Sequence, residues 1–425
     1  MMTSSGRNPE TITGAGGRSR PGGPSPGGLL ELIRTGRART RRDLLEITGL
    51  SRSAIATRVG QLVAAGYLNE SGVEMAVRGR PSTVLAFNER HGIVLAADLG
   101  ATHARAAVCD LAGRTLGEVT HELRISNGPE VVLEWLEARW HDLLTSRDRV
   151  HDRIVGFGVG VPGPVDVATG RPIRPPIMHG WHDYPVRERL EHTFGVPGFV
   201  ENDANVMAFG EFRSALSSCP SLLFVKVSTG IGAAMIVDGR LIRGIHGGSG
   251  DIGHVRLADP ESGPLCACGA RGCLAALASG GAIARRLREQ GRTVQTTREA
   301  VQLAHDRDPA AVSLIREAGM HLGGVLATAV SLLNPQVLMI GGDLVALQDH
   351  FMVSLKQSLY QRTQPLATRD LQVLDSDLGD RAGVFGAAHL IIDEVFSAES
   401  IDRNLAGRGW SLSASAASGN EDRAG

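Results

Sequence analysis

The segment from Gly250 to Cys273 reads Gly-Asp-Ile-Gly-His-Val-Arg-Leu-Ala-Asp-Pro-Glu-Ser-Gly-Pro-Leu-Cys-Ala-Cys-Gly-Ala-Arg-Gly-Cys and contains three of the chain's five cysteines. It offers one imidazole and three thiolates, a complete tetrahedral set for zinc. The four ligands are His254, Cys266, Cys268 and Cys273. Because four protein ligands leave no position for water or substrate, we predict a structural zinc ion held by the loop 254–273. The alternative is three buried free thiols beside an unrelated histidine.

Length and composition indicate a soluble protein of roughly two or three domains. The chain has 425 residues, 42% of them hydrophobic, and a net charge of -1. No apolar run approaches the roughly 20 residues of a membrane helix, and the N-terminus lacks the apolar core of a signal peptide. We therefore expect a cytoplasmic protein without a membrane partner, in which Cys109 and Cys219 stay reduced.

The chain changes character once between two polar ends. Residues 1–28 and 397–425 hold little that is apolar, so we expect both to be disordered. Near Asn88 to Gly92, short arginine-bearing helices give way to alternating strands and helices. We therefore predict one domain over residues 29–88 and a second over residues 92–396.

The first domain has the pattern of a winged helix-turn-helix. Thr40 can cap a second helix that Gly49 ends, and Ser51 can cap a third. Two short strands follow, around the loop Arg78-Gly79-Arg80-Pro81, which would be the wing. Between Leu29 and Phe87, nine arginines stand against five acidic residues, an excess that fits a nucleic-acid face.

Two groups of residues in this domain are candidates for contact with DNA. Arg78 and Arg80, on a narrow extended loop, suit the negative potential of a minor groove. The start and the exposed side of the third helix suit the major groove. Those residues are Ser51, Arg52, Ser53 and Thr57. The alternative is a generic three-helix packing unit, since amphipathic helices alone are common.

From the apolar strand Ile93–Leu99 onward, alternating strands and helices predict an α/β domain. Three glycine turns follow predicted strands, which suggests a nucleotide cleft between two lobes. A carboxylate at the first turn can hold a magnesium-bound water, while backbone and hydroxyl donors approach phosphate. The residues are Asp98, Gly100 and Thr102, then Thr229 and Gly230, then Gly341 and Gly342. For the first turn, a plain hairpin is the alternative.

Polar side chains follow another predicted strand, in Glu-Asn-Asp-Ala-Asn from residue 201 to 205. Asn202 and Asp203 can form a bidentate pair for neighbouring sugar hydroxyls. In a kinase, Asp203 would be the general base that takes the proton from the attacking hydroxyl. The alternative is an Asx-rich helix start that Asp203 caps.

From Ala97 to about Ile392 the chain resembles the ROK family of sugar kinases and regulators. The resemblance rests on Asp98-x-Gly-x-Thr, Gly-Val-Pro-Gly-Pro-Val, Glu-Asn-Asp-Ala-Asn, Ser-Thr-Gly-Ile-Gly and the zinc segment ending Cys-x-Cys-Gly-x-x-Gly-Cys. It implies a two-lobed, actin-like (ribonuclease H-like) sugar-kinase fold behind the winged helix-turn-helix. It also implies a sugar site, with His254 facing both sugar and zinc. The sugar-binding residues carried over are Asn202, Asp203, Asp251 and His254.

Several positions depart from the pattern of the family's sugar kinases. Asp251 stands where those kinases usually have glutamate, and Ala275 where they have another. Ala101 and His103 replace the glycine and lysine common in the phosphate loop of active kinases. These replacements weigh against catalysis, although Asp203 is retained.

Together these features predict a sugar-responsive transcriptional regulator, a repressor that binds operator DNA as a homodimer or tetramer. The alternative is an ATP-dependent sugar kinase that uses Asp203 as general base and requires ATP and magnesium. A third hypothesis is a scaffold that uses the winged domain for protein contacts. The winged domain looks like that of the family's repressors, which favours the regulator.

Overall fold

The computed structural model describes residues 24–74, 82–146, 152–259 and 261–407. The chain divides into two compact units, which meet in the sequence at Asn88 and Glu89. Among the helices that the structure describes, none combines the length and the apolar composition of a membrane-spanning segment.

Among its described residues, the N-terminal unit contains three helices and a two-stranded antiparallel sheet. Its elements are α1 (Pro26–Arg34), α2 (Arg41–Thr48), α3 (Arg52–Ala64), β1 (Leu68–Glu74) and β2 (Ser82–Phe87). Both predicted caps are confirmed, since the Thr40 hydroxyl accepts from the Asp43 amide and the Ser51 hydroxyl from the Ala54 amide. Gly49 ends α2 with a φ of 66°, a left-handed conformation that glycine adopts without strain.

The first helix begins earlier than the sequence predicts. Disorder is expected up to residue 28, but α1 begins at Pro26. The Ser25 hydroxyl accepts a hydrogen bond from the Gly28 amide, and proline suits the first turn because no amide donor is needed there. Leu29 is completely buried, and α1 packs against α3 and β2. Capping and burial therefore order a segment whose composition alone indicates disorder.

The larger unit is built on two five-stranded sheets, in which the first, second and third strands of each set lie side by side and the fourth and fifth follow on the other side of the first. The first, in the order β5-β4-β3-β6-β9, contains β3 (Ile93–Leu99), β4 (Ala104–Asp110), β5 (Thr115–His121), β6 (Ile154–Val161) and β9 (Gly198–Asn202). The second, in the order β12-β11-β10-β13-β14, contains β10 (Ser221–Val227), β11 (Ile231–Val237), β12 (Arg240–Leu241), β13 (Val337–Gly341) and β14 (Gln372–Asp375). In each sheet the central strand has an antiparallel neighbour on one side and a parallel neighbour on the other. A separate short hairpin pairs β7 (Val165–Asp166) with β8 (Arg171–Pro172).

Helices α6 and α13 join the two halves of this unit. The helices among its described residues are α4 (Pro129–Ser146), α5 (Val186–Phe194), α6 (Asp203–Ala215), α7 (Leu274–Ala278), α8 (Gly280–Glu289), α9 (Thr297–His305), α10 (Pro309–Leu333), α11 (Val353–Arg362), α12 (Pro365–Thr368), α13 (Ala382–Val395) and α14 (Ala398–Leu405). Helix α6 packs on β10 and β11, α13 packs on β3 and β6, and the two helices contact each other. Gly386 is required where they cross, because a methyl group there would lie 1.8 Å from the Val206 carbonyl oxygen.

The C-terminal end is ordered further than the sequence predicts. Disorder is expected from residue 397, whereas α14 covers Ala398–Leu405. The Ser397 hydroxyl accepts from the Ser400 amide and caps this helix. Ile401 is completely buried, and α14 contacts α13. One buried apolar side chain and one cap therefore extend the folded unit past the predicted boundary.

Candidate functional site

A cavity of about 780 Å³ opens in the larger unit and takes residues from both of its halves. The predicted sugar and nucleotide residues that line it are Thr102, Asn202, Asp203, Thr229, Gly230, Asp251 and His254. The predicted nucleotide residues that do not line it are Asp98, Gly100, Gly341 and Gly342. The volume suits a small-molecule ligand. The fold thus brings all four predicted sugar residues, but only part of the predicted nucleotide residues, to one cavity.

Asn202 and Asp203 lie where β9 ends and α6 begins. The side-chain oxygen of Asn202 accepts hydrogen bonds from the Ala204 and Asn205 amides at 3.0 and 3.4 Å, so Asn202 is the helix cap. Its side-chain nitrogen donates to the Gly163 carbonyl oxygen at 3.0 Å. The alternative in which Asp203 caps the helix is therefore wrong, and the Asp203 carboxylate is left to face the cavity.

A buried lysine beside Asp203 is the main feature that sequence reasoning missed. Lys226, on β10, donates to Oδ2 of Asp203 at 2.5 Å, and its side chain is 15% exposed. Burial opposes the charge, but Asp203 and Asp98 together raise the pKa of Lys226 above its usual value, so the ammonium stays protonated. The available signal was its rarity, since the 425-residue chain has two lysines and this one interrupts an apolar strand.

Asp98 is 5% exposed and does not line the cavity. Its Oδ2 lies 3.9 Å from Nε2 of His103. Burial opposes ionisation, yet His103, Lys226 and Arg105 hold the pKa of Asp98 below its usual value. The ring of His103 also packs over Gly100, where a methyl group would lie 2.3 Å from Cε1 of the ring. The first predicted phosphate turn is therefore covered by its own histidine.

The four predicted metal ligands converge in space. Their ligand atoms all lie within 4.8 Å of one another, and they belong to His254, Cys266, Cys268 and Cys273. The sulfurs of Cys268 and Cys273 are 3.8 Å apart, and the Cys266 sulfur is 3.5 Å from Nδ1 of His254. Tetrahedral zinc, with bonds of about 2.3 Å to sulfur and about 2.0 Å to nitrogen, requires separations of roughly 3.8 and 3.5 Å. Both the donor types and their spacing fit zinc.

His254 connects the metal cluster to the cavity. Its Nδ1 faces the thiols, whereas its Nε2 lies 3.9 Å from Oδ1 of Asp251. His254, Asp251 and Cys266 all line the cavity. Two isolated β-bridges, Arg256 to Cys273 and Leu265 to Arg271, hold the loop in this shape. One wall of the cavity is therefore also one wall of the cluster.

A polar network on the cavity wall was not anticipated from the sequence. The Ser228 hydroxyl makes a hydrogen bond with Oδ2 of Asp343, and Nε of Arg298 donates to Oδ1 of the same carboxylate at 3.2 Å. Arg298 also donates to Asp380 at 2.9 Å. These contacts between polar and oppositely charged side chains hold the part of the cavity wall next to Thr229 in place.

Residues 94–394 match the model of the ROK family. The chain belongs to the ROK family. The xylose repressor of Bacillus spizizenii is 28% identical over 355 residues, which are 83% of this chain and 91% of that protein.

Two solved ROK structures show the same fold. A ROK family transcriptional regulator, described as a homolog of the E. coli MLC protein, aligns with a TM-score of 0.76 at 25% identity over 90% of this chain and 98% of that chain. The ROK family glucokinase from Streptomyces griseus, in complex with glucose and AMPPNP, aligns with a TM-score of 0.59 at 27% identity over 70% of this chain and 99% of that chain. The larger unit therefore has the mixed α/β fold of ROK sugar kinases.

The departures from the ROK kinase pattern lie on the cavity wall. Asp251 and Ala275, where the resemblance to the kinases leads us to expect glutamate, both line it. Ala101 and His103, in the first glycine turn, line it as well. Compared with the kinase pattern, the wall thus has a shorter carboxylate side chain at Asp251 and no carboxylate at Ala275. It also has an imidazole at His103.

Ahead of the residues that match the ROK family, α3 presents a polar face. The predicted DNA contacts Ser51, Arg52, Ser53 and Thr57 are all exposed. The opposite face is buried through Ile55, Val59 and Leu62. Gln61 shares this exposed face, four residues after Thr57, and was not among the predicted DNA contacts. Arg78 and Arg80 lie outside the described residues.

Proposed function

We propose that this protein is a sugar-responsive transcriptional repressor. A winged helix-turn-helix over residues 29–88 binds operator DNA, and a ROK domain over residues 92–396 binds the sugar. The N-terminal unit carries the proposal, because a sugar kinase has no need of it. Consistent with this, the match to a ROK transcriptional regulator covers 90% of this chain, whereas the match to the glucokinase covers 70%.

Helix α3 is the proposed recognition helix. It follows the left-handed turn at Gly49, and a two-stranded ribbon follows it in the chain, as in winged helix-turn-helix proteins. The guanidinium of Arg52 can bind guanine bidentately, and the amide of Gln61 can bind adenine. Arg78 and Arg80 are proposed to enter the adjacent minor groove. The excess of arginine in this unit supplies phosphate attraction.

The sugar is proposed to bind against Asn202, Asp203, Asp251 and His254. The carboxylates accept hydrogen bonds from sugar hydroxyls, and Asn202 keeps one N–H for the ligand after its contact with Gly163. The cluster of His254 with three cysteines is proposed to hold a structural zinc ion, since the set is closed. That ion would fix the orientation of His254 and, through the same loop, of Asp251.

Regulation requires that the sugar bind one conformation of the repressor more tightly than the other. Two-fold operators are the usual partners of such proteins, so we propose a homodimer or a tetramer, acting in the cytoplasm. Because the relative from Bacillus spizizenii is a xylose repressor, aldoses such as xylose and glucose lead the ligand panel.

The proposal is tested by selecting operator sequences from a random DNA pool with the purified chain. Binding to the selected DNA is then measured by fluorescence anisotropy at several salt concentrations, with and without each sugar. We expect sequence-preferring binding that one aldose changes. Absence of any sequence preference would overturn the proposal, and sugar-dependent ADP release that Asp203→Asn abolishes would support the kinase alternative instead.

Arg52→Ala should weaken operator binding and relax its sequence preference. A bidentate arginine–guanine contact discriminates by about 1–3 kcal/mol, or roughly 5-fold to 150-fold. Arg37→Ala is the control, because Arg37 is an exposed arginine of the same unit outside α3. The ratio of operator to random-DNA affinity should fall for Arg52→Ala alone. An equal fall in both variants would reduce the role of Arg52 to general phosphate attraction.

Gly60→Ala should stabilise the N-terminal unit while weakening operator binding. Gly60 lies inside α3, and a methyl group there would meet nothing within 4 Å. Glycine in a helix interior costs about 0.5–1 kcal/mol relative to alanine, so melting should rise. On the exposed face of a recognition helix, the added methyl group would instead meet DNA. Increased stability with unchanged operator affinity would show that DNA does not approach this position.

A further inference from the structure

The position of Lys226 determines what the cavity can bind. A lysine side chain that is 15% exposed, one residue before the end of a mostly apolar strand, requires an anion beside it. Asp203 meets that requirement with a contact of 2.5 Å to the ammonium nitrogen. The second lysine of the chain, Lys356, lies on α11 and is partly exposed.

Two further carboxylates act on the same ammonium. Asp98 and Asp343 both raise the pKa of Lys226 by their negative charge. Asp343 has its own partners in Ser228 and Arg298. Asp98 has the imidazole of His103 at 3.9 Å from its Oδ2, whereas its Oδ1 is buried without a hydrogen-bond partner among the described residues. Lys226 is therefore the cation that Asp98 and Asp203 share.

A magnesium ion does not fit beside this ammonium. Magnesium binds carboxylate oxygen at about 2.0–2.1 Å and demands near-ideal octahedral geometry. The Asp203 oxygen that would be its ligand already accepts from Lys226, and two cations in direct contact with one buried oxygen repel each other. His103, packed over Gly100 and 3.9 Å from Asp98, covers the turn at which a nucleotide phosphate would lie.

We propose that Lys226 takes the place of a divalent cation between Asp98 and Asp203, so that the cavity binds an uncharged sugar without magnesium or nucleotide. That the ligand is a sugar rests on the proposed function. The interaction of Lys226 with the carboxylates does not depend on the proposed function. Lys226 orients the Asp203 carboxylate through its hydrogen bond to Oδ2, and the remaining oxygen of Asp203 accepts from a sugar hydroxyl. Phosphoryl transfer is thereby excluded by the chain's own side chain.

The test compares thermal melting of the full-length zinc-loaded protein and its Lys226→Met variant, with and without millimolar Mg²⁺. Magnesium is a hard cation that does not compete for thiolate ligands, so the zinc cluster is undisturbed. Wild type should show no Mg²⁺ response. Lys226→Met leaves two buried carboxylates without their cation and should melt roughly 5 °C lower or more, with Mg²⁺ restoring at least half of the loss.

Three matched variants and one wild-type measurement complete the test. Lys356→Met should change neither melting nor the Mg²⁺ response, and Lys226→Arg should stay independent of Mg²⁺. The double variant Asp98→Asn with Lys226→Met removes one carboxylate and should lose the Mg²⁺ response. By calorimetry, wild type should not bind Mg²⁺–ATP.

Any of three results overturns the proposal: Mg²⁺-dependent ATP binding by wild type, a Mg²⁺ response in the melting of wild type, or a Lys226→Met protein that ignores Mg²⁺. The first needs no variant and so stands even if Lys226→Met does not fold. Neither readout involves DNA. Failure of operator binding would therefore contradict only the proposed function. A Mg²⁺ response of wild type would contradict only the proposed role of Lys226.

Discussion

Cys266→Ser should leave the protein without its zinc ion and without its response to sugar. A serine hydroxyl does not replace a thiolate as a zinc ligand. Structural zinc sites in small domains bind with about 10–16 kcal/mol of apparent free energy, so the loop 254–273 should lose its fixed conformation. Asp251 and His254 are carried by this segment, and losing two hydrogen bonds of about 1 kcal/mol each would lower sugar affinity roughly 30-fold.

The measurement is zinc content by plasma mass spectrometry, followed by operator binding with and without the sugar. Cys219→Ser is the matched control, because the Cys219 thiol contacts the Ser221 carbonyl oxygen at 3.3 Å and lies outside the cluster. It should keep one zinc per chain and the sugar response. Operator affinity in the absence of sugar should survive in both variants, since the proposed DNA contacts belong to the N-terminal unit and the loop 254–273 belongs to the larger unit. Full zinc occupancy in Cys266→Ser would contradict this account.

Local signals in the sequence were sufficient for most of the secondary structure. Thr40 and Ser51 cap their helices, as short polar side chains before apolar helical patterns do. Strand Ile93–Leu99 has the predicted bounds because all seven of its residues are buried in a sheet covered on both faces. The two ends of the chain were misjudged because a single buried side chain, such as Ile401, is invisible to composition.

The candidate site was only partly predictable, because its contacts join distant parts of the chain. The four candidate metal ligands lie within 20 residues of one another in the sequence, so their spacing was enough to predict that they cluster. The pairing of Lys226 with Asp203 joins β10 to the start of α6, and no local pattern announces it. Which of Asn202 and Asp203 caps α6 could not be decided until the structure showed which side chain accepts from the Ala204 and Asn205 amides.

Asp203→Asn is expected to weaken both sugar binding and folding. The amide is neutral, so Lys226 would retain only the negative charges of Asp98 and Asp343. Removing one partner of a buried ion pair costs about 3–5 kcal/mol, and because Asp98 remains we expect the lower end, about 3 kcal/mol. For a unit of this size that lowers the melting temperature by roughly 5 °C. Sugar affinity should fall about tenfold or more, because a charged hydrogen bond is lost.

Asp251→Asn separates the two effects. Asp251 also lines the cavity, but its side chain is 51% exposed and faces His254 rather than a lysine. Its loss should lower sugar affinity while changing stability by no more than about 0.5 kcal/mol. Thermal melting and sugar titration of both variants provide the comparison. If Asp203→Asn melts like wild type, the ion pair with Lys226 does not stabilise the fold. We expect instead that both variants lose sugar affinity and that only Asp203→Asn melts at a lower temperature. That result would show that the Asp203 carboxylate both binds the sugar and pairs with the buried lysine.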